Sequence, residues 1–293
     1  MNDITFSPSY VCSIGKTDLS QDEPHIIDKL IVERAPQLAT SPFWSVLWPI
    51  MKIILGYEPA KQMMDKINGV PSAQVFNYLS EFLNLKVTSH GLENLPSSGR
   101  VIIVSNHPSG MADSVALFDA VRAKRPDIKF WANAGLTRSC PNLLQTLIPI
   151  EWTIANRTHA KTRTTFLATK KMMQSEGILA IFPAGRLSKL KQGRLTDREW
   201  MTGFVAAAKK FNAPILPVHI KAPNAFWYHM LDVISDQLRN LTVFRELLNK
   251  KGASFKLVAG PLIMPQDLAK DNKEASAKLR EYIETSLAKR REH

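Results

Sequence analysis

The chain has little of what would mark it for export, for metal binding or for a membrane span. Only two of its 293 residues are cysteines, Cys12 and Cys140, and they lie far apart with no metal-type spacing to a neighbouring histidine. Such sparse thiols predict a reduced, cytoplasmic setting. His25, His90, His159, His229 and His293 fall in no recognisable metal spacing either, so no metal site is expected. Met1 to Tyr10 lacks a charged stretch followed by an apolar one, so no signal peptide is expected. No apolar run reaches the roughly 20 residues that a spanning helix needs. Internal repeats and low-complexity segments are absent, and no nucleic-acid-binding motif is recognisable. Acidic residues are also in deficit, 26 against 38 lysines and arginines, for a formal charge of +12. That surplus suits phosphate-rich partners, and without a nucleic-acid motif it points to anionic lipid headgroups.

With 45% hydrophobic residues the chain can bury a substantial core. Met1 to Glu23 reads as a polar arm, and His25 to Leu38 as an amphipathic helix carried by Ile26, Ile27, Leu30, Ile31 and Ala35. Ser41 to Tyr57 is the most hydrophobic stretch, interrupted by Pro49 and Lys52 and rich in aromatics of the membrane-interface kind, Phe43, Trp44, Trp48 and Tyr57. It is expected to lie on or dip into one leaflet; the alternative is a buried helix packed on the rest of the protein. Ala60 to Leu85 continues as amphipathic helix with a break near Gly69-Val70-Pro71. From Lys86 the pattern changes to strands alternating with helices, which predicts an α/β fold with a mixed central sheet covered by helices. The division expected is residues 1–85 as a membrane-associating arm and helices, and residues 86–293 as the catalytic domain. Strands are predicted at Lys86 to Ser89, Val101 to Ser105, Ile128 to Ala132, Ile148 to Trp152, Ile178 to Phe182, Ile215 to Ile220 and Phe255 to Val258. Helices are predicted at Ser114 to Ala123, Asn142 to Gln145, His159 to Ser175, Trp200 to Phe211, Phe226 to Leu248 with interruptions, and Lys273 to Arg291. The terminal Lys289-Arg290-Arg291 reads as a solvated helix end.

The stretch richest in chemistry is Val101 to Ser114. Its β-branched run predicts a strand buried on both faces, and the Asn106-His107-Pro108-Ser109-Gly110 that follows can continue neither ladder nor helix, so the chain must bend before a helix begins near Met111. His107 and Asp113 stand six residues apart, a separation that puts them on different faces of one continuous helix. Only the bend can unite them. The carboxylate could then accept from one ring nitrogen and leave the other as a base. The alternative is a loop histidine beside a helix-capping acid. Ser109 is adjacent, but no G-x-S-x-G pattern surrounds it, which disfavours a covalent serine mechanism.

Two further apolar runs follow in order, Ile178 to Phe182 closing on Pro183-Ala184-Gly185-Arg186, and Pro214 to Ile220. Together with Asn106-His107, these resemble the glycerolipid acyltransferase family, which acylates lysophosphatidic acid and related lysolipids. That family usually has N-H, four intervening residues and D; here five residues separate His107 from Asp113. Its Phe-Pro-Glu-Gly-Thr-Arg block is matched by Phe182, Pro183 and Gly185, with Ala184 in place of glutamate and Arg186 one position early. The variant is similar to the divergent bacterial branch labelled putative haemolysin, and the likeness runs from about Ile26 to Pro265. It implies a peripheral enzyme at the cytoplasmic membrane face that moves a fatty acyl group from acyl-CoA or acyl-carrier protein to a lysolipid hydroxyl. No cofactor is expected beyond that co-substrate. Lysophosphatidic acid is the first acceptor implied and a lyso-ornithine lipid the second; a lipid hydrolase using the same dyad is the rival. The resemblance makes His107 the base and Asp113 its orienter, with Asn106 either orienting the loop or donating to the oxyanion. Gly110 and Gly185 are oxyanion-donor candidates, against the plainer reading of glycines needed by turns. Phe182, Pro183 and Gly185 would form the substrate-binding turn, Arg186 a phosphate contact, and Arg157 the arginine of the family's intermediate block. Lys189, Lys191 and Arg194 read as a solvated basic loop, and His219 as a satisfied buried imidazole.

Overall fold

The computed structural model describes residues 25–34, 40–151, 157–185, 188–191, 194–223 and 242–290. Among the described residues four helices come first: α1 (Ile26–Arg34), α2 (Trp44–Leu55), α3 (Tyr57–Gly69) and α4 (Val75–Leu83). Gly56, at φ +63°, ends α2 in the left-handed conformation that glycine adopts without strain. α3 stops where expected, because Val70 before Pro71 is forced into extended backbone. α2 divides its apolar residues between two directions. Trp44, Trp48 and Met51 pack on the core and Leu55 is buried, whereas Val46, Leu47, Ile50, Ile53 and Ile54, with Phe43 just ahead, face outward. Their spacing makes one continuous apolar stripe.

The remainder builds the sheet: β1 (Lys86–His90), β2 (Val101–Ser105), α5 (Met111–Val121), β3 (Ile128–Asn133), α6 (Ala134–Ser139), β4 (Leu147–Ile150), α7 (His159–Gln174), β5 (Ile178–Ile181), β6 (Lys189–Lys191), β7 (Arg194–Thr196), α8 (Gly203–Phe211), β8 (Ile215–Lys221), α9 (Val243–Leu248), β9 (Ser254–Ala259) and α10 (Asn272–Glu281), which runs into a π-helical turn, Tyr282–Leu287. Among the described residues seven strands form one sheet in the order β1-β9-β8-β2-β5-β3-β4. Every pairing is parallel except β8 with β9, so the sheet is mixed, as the sequence predicts. β2 and β5 are buried at every residue, which their unbroken apolar runs require. Alternation along β2 sends Ile103 to the face covered by α1, α3, α4 and α5, and Ile102 and Val104 to the face covered by α7, α8 and α10. Burying each such side chain stabilises the fold by roughly 1.5–3 kcal/mol.

Several boundaries differ from expectation. α8 begins at Gly203 rather than Trp200, because Trp200 is held by a side-chain bond ahead of the helix. β4 ends at Ile150. Lys189, Lys191 and Arg194, expected in a loop, lie in the short antiparallel pair β6 and β7, and α6 was not foreseen. Of the helix predicted over Phe226 to Leu248, only residues 242–248 are among those described, and Val243–Leu248 is helical.

Candidate active site

The Asn106 to Gly110 bend sits at the carboxyl end of β2, between β8 and β5, the edge at which open α/β sheets place their ligands. Its geometry follows from two side chains standing in for backbone. Asn106 Nδ2 donates to the Ile220 carbonyl at 2.9 Å, and the Ile220 amide donates to Asn106 Oδ1 at 2.7 Å. The Asn106 amide therefore extends the β2–β8 ladder by one rung, which is the loop-orienting role; its oxyanion alternative is not supported. Asp113 closes the other end. Its Oδ2 accepts the amides of Ser109 and Gly110, each at 2.9 Å, and its Oδ1 accepts the Ser109 hydroxyl at 2.5 Å. Gly110 precedes α5 at φ +83°, a conformation open to glycine at little cost. Asp113 thus caps its own helix while staying wholly buried, at 0% exposure.

This bend brings the two predicted residues together. His107 Nδ1 lies 3.0 Å from Asp113 Oδ2. The ring N–H is not aimed along that line, and Nδ1 is buried without a hydrogen-bond partner. Oδ2 already holds two amides, and active-site hydrogen bonds commonly align only once substrate is bound. The imidazole lies over Phe182, with ring centroids 4.4 Å apart and planes 21° from parallel, and its side chain keeps 17% of its surface exposed. Phe182 thereby serves as the floor of the site. A neutral imidazole so held can take a proton from a hydroxyl while the carboxylate beside it stabilises the resulting cation.

Sequence reasoning missed a second buried carboxylate on the same loop. Asp197 Oδ1 accepts the His107 amide at 3.3 Å and the Ser188 hydroxyl, and its Oδ2 accepts Trp200 Nε1 at 2.9 Å. The Ser188 amide donates to the His107 carbonyl at 3.0 Å. The Asp197 amide in turn donates to Glu284 Oε1 at 2.6 Å, and Arg280 donates to both the Asp197 carbonyl and Glu284. His107 is consequently strapped by its backbone to the C-terminal helix. Burial pushes the Asp197 carboxyl above its usual range against hydrogen bonds from Ser188 and Trp200. Glu284 is raised mainly by burial as well, with the charge of Asp197 adding to it. The only sequence signal was an acid three residues before a tryptophan, Asp197 and Trp200, which looks like any helix-flanking acid.

The remaining predicted residues divide. Gly185 adopts φ +61°, but its amide donates to the Phe182 carbonyl at 3.0 Å, and that of Gly110 to Asp113. Both donors are occupied, so the turn-forming reading replaces the oxyanion reading. Pro183 lies on the other side of the sheet from Phe182, in the wall of a cleft of about 650 Å³ with Trp131, Ile181, Trp200 and Phe204. Arg157 lines the same cleft, its Nε donating to the Glu151 carbonyl at 3.3 Å. Arg157 is therefore placed with Pro183 rather than with the imidazole. Arg186 lies outside the described residues. His219 is held through a backbone hydrogen bond with Ile283, and burial lowers it to about 4, so it is neutral at cellular pH. Its Nδ1 has no hydrogen-bond partner, so the imidazole expected to be satisfied is only half so. Among the described residues no group of three or more histidine, cysteine, aspartate or glutamate side chains could hold a metal ion.

Residues 86–221, which run from β1 through β8 and include both His107 and Asp113, match the acyltransferase family model. A lyso-glycine lipid O-acyltransferase of Phocaeicola vulgatus is 29% identical over 187 residues, covering 61% of this chain and 65% of that protein. One of Bacteroides thetaiotaomicron is 26% identical over 271 residues, covering 90% of this chain and 96% of that protein. The crystal structure of the 1-acyl-sn-glycerophosphate (LPA) acyltransferase PlsC from Thermotoga maritima aligns over 92% of this chain and 97% of its own, at 15% identity and a TM-score of 0.46. Over residues 86–221, then, the chain is similar to the acyltransferase family. Both relatives are named as O-acyltransferases.

Proposed function

We propose that this enzyme transfers a fatty acyl group from a thioester to the hydroxyl of a lyso-aminolipid of the lyso-glycine-lipid class, at the cytoplasmic face of a membrane. The observation that carries the mechanism is the buried Asp113 carboxylate 3.0 Å from Nδ1 of a partly exposed His107. In that mechanism His107 takes the acceptor hydroxyl proton as the oxygen attacks the thioester carbonyl. The carbon–sulfur bond then breaks, and the departing thiolate receives the proton from the imidazolium. Asp113 stabilises the ring while it carries charge. The acceptor class is supported by the names of the two relatives and is consistent with Ala184 in place of the glutamate usual in the phosphate-acceptor signature. A lysophosphatidic-acid-like acceptor is the second reading, favoured by the net charge of +12. The test is a panel of lyso-glycine, lyso-ornithine and lysophosphatidic lipids, each offered acyl-CoA or acyl-carrier protein. Diacyl product with the lyso-aminolipids first is the expected result. Free fatty acid with no diacyl lipid would make the protein a hydrolase instead.

The membrane contact is proposed to be the outward stripe of α2. No helix among the described residues is long and apolar enough to cross a bilayer, yet Val46 is 70% and Ile53 83% exposed. Lys52 lies over Tyr57 at 4.7 Å and over Trp48 at 5.4 Å, keeping a cation beside the aromatic pair. Such a helix can lie in the interfacial plane with its apolar side in the acyl region. Replacing both Val46 and Ile53 by glutamate is expected to weaken cosedimentation with anionic vesicles by about tenfold or more, since each buried aliphatic side chain contributes ~1.5–3 kcal/mol. The thermal midpoint should stay unchanged, because neither side chain is part of the core. Undiminished vesicle binding would remove α2 from the membrane contact.

A further inference from the structure

Both backbone polar groups of His107 are held from one place. Its amide donates to Asp197 Oδ1 at 3.3 Å, its carbonyl accepts the Ser188 amide at 3.0 Å, and the Ser188 hydroxyl donates to the same Oδ1. Ser188 and Asp197 flank the antiparallel pair β6 and β7, whose outer residues Lys189 and Thr196 are register partners. The two ends of that pair therefore close on a single residue of the bend. Asp197 is 3% exposed, and its Oδ2 accepts Trp200 Nε1 at 2.9 Å. A peptide amide and an indole can only donate, so each oxygen accepts, as both oxygens of an ionised carboxylate do.

The imidazole needs such a hold. Its Nδ1 has no hydrogen-bond partner, although Asp113 Oδ2 lies 3.0 Å away. The ring is therefore steered by its stacking on Phe182 and by where the backbone of residue 107 stands. The Met201 amide donates to the Pro183 carbonyl at 3.1 Å, which ties the chain just beyond Trp200 to the residue beside Phe182. The floor under the ring and the acid on its amide are thus fixed to each other as well as to His107. Glu284 and Arg280 hydrogen-bond Asp197 through its amide and its carbonyl. The tie to the C-terminal helix leaves the carboxylate to the bend and to Trp200, so a substitution at Asp197 can remove one and spare the other.

We infer that Asp197 is a positioning residue for His107: its carboxylate, acting through the amide of residue 107, sets the imidazole where it can take the acceptor hydroxyl proton. This inference rests on the acyl-transfer reading above, with His107 as base. The experiment is a kinetic cycle over wild type, Asp197→Ala, His107→Ala and the double variant, with a thioester and a lysolipid, below the melting temperature of all four. Asp197→Ala should lower kcat by about 10²-fold, the order of loss for a misplaced reacting group, with KM for both substrates within about twofold of wild type. In the His107→Ala background the same substitution should lower kcat no further, since it acts through the ring. An acid that merely supports the fold would cost the same factor in both backgrounds, and that result overturns the assignment. If His107→Ala loses turnover and Asp197→Ala does not, this inference alone falls; if His107→Ala keeps wild-type turnover, the base falls and this inference with it. Where alanine at position 197 does not fold, Asp197→Asn, which fills the same space without the charge, is read in the same cycle with the same outcomes. If wild type hydrolyses its substrate, the cycle is read on that rate. If wild type turns over neither substrate, carbon-13 NMR of the His107 ring judges the positioning separately: one sharp signal that broadens or splits in Asp197→Ala upholds it, and an unchanged signal refutes it.

Discussion

Replacing His107 by alanine is expected to lower the turnover of acyl transfer by about 10²- to 10⁴-fold, the contribution a positioned base typically makes, while leaving the folded state nearly as stable as wild type. The second half of that expectation comes from the structure. The imidazole Nδ1 has no hydrogen-bond partner, while the His107 amide donates to the Asp197 carboxylate and the His107 carbonyl accepts the Ser188 amide. Those bonds survive the substitution. The side chain's own contribution is its stacking on Phe182, an interaction of roughly 0.5–1.5 kcal/mol. Steady-state turnover with a saturating thioester and lysolipid, read beside a thermal melt, checks both. A variant that keeps most of its turnover would end the proposal that His107 is the base.

The His107 and Asp113 juxtaposition was legible because it required only a bend, and Pro108 and Gly110 announce one. The buried runs of β2, β5 and β8 were legible for a similar reason: an unbroken apolar stretch of strand length has nowhere to go but a sheet covered on both faces. What escaped was everything that depends on long-range closure. Asp197 meets His107 across 90 residues and Glu284 across 87, and no local period records such a meeting. The pairing of Lys221 with Lys256 was illegible for the same reason, since they become neighbours only through the register of β8 on β9. The oxyanion expectation failed on a different ground. A glycine at a turn supplies an amide, but in a compact turn that amide is consumed by the turn itself, as at Gly185 and Gly110.

The hydrophobic stretch from Ser41 to Tyr57 divides its apolar residues between the core and the outside. It packs through Trp44, Trp48 and Met51 and exposes Val46, Ile50 and Ile53. A helix whose two sides are both largely apolar does not say from its sequence which side faces in. Packing of the aromatics decided it here, for two indoles stacked 5.0 Å apart offer more area to the core than any aliphatic pair.

Asp113→Ala should behave differently from His107→Ala in a way that separates structure from chemistry. Asp113 is wholly buried and accepts from the Ser109 and Gly110 amides and from the Ser109 hydroxyl. Alanine leaves all three donors without an acceptor in a place water does not reach, each costing about 1–3 kcal/mol. The expected loss is therefore several kcal/mol of folding stability together with at least the fall in turnover expected for His107→Ala, because the bend that presents the imidazole is built on the same carboxylate. Denaturant unfolding measures the first and steady-state kinetics the second. The double variant His107→Ala/Asp113→Ala should be no less active than Asp113→Ala alone, as for groups that act as one unit. If instead the two losses of turnover simply multiply, Asp113 contributes independently of the imidazole, and the dyad must be replaced by a lone base beside an acid with a separate role.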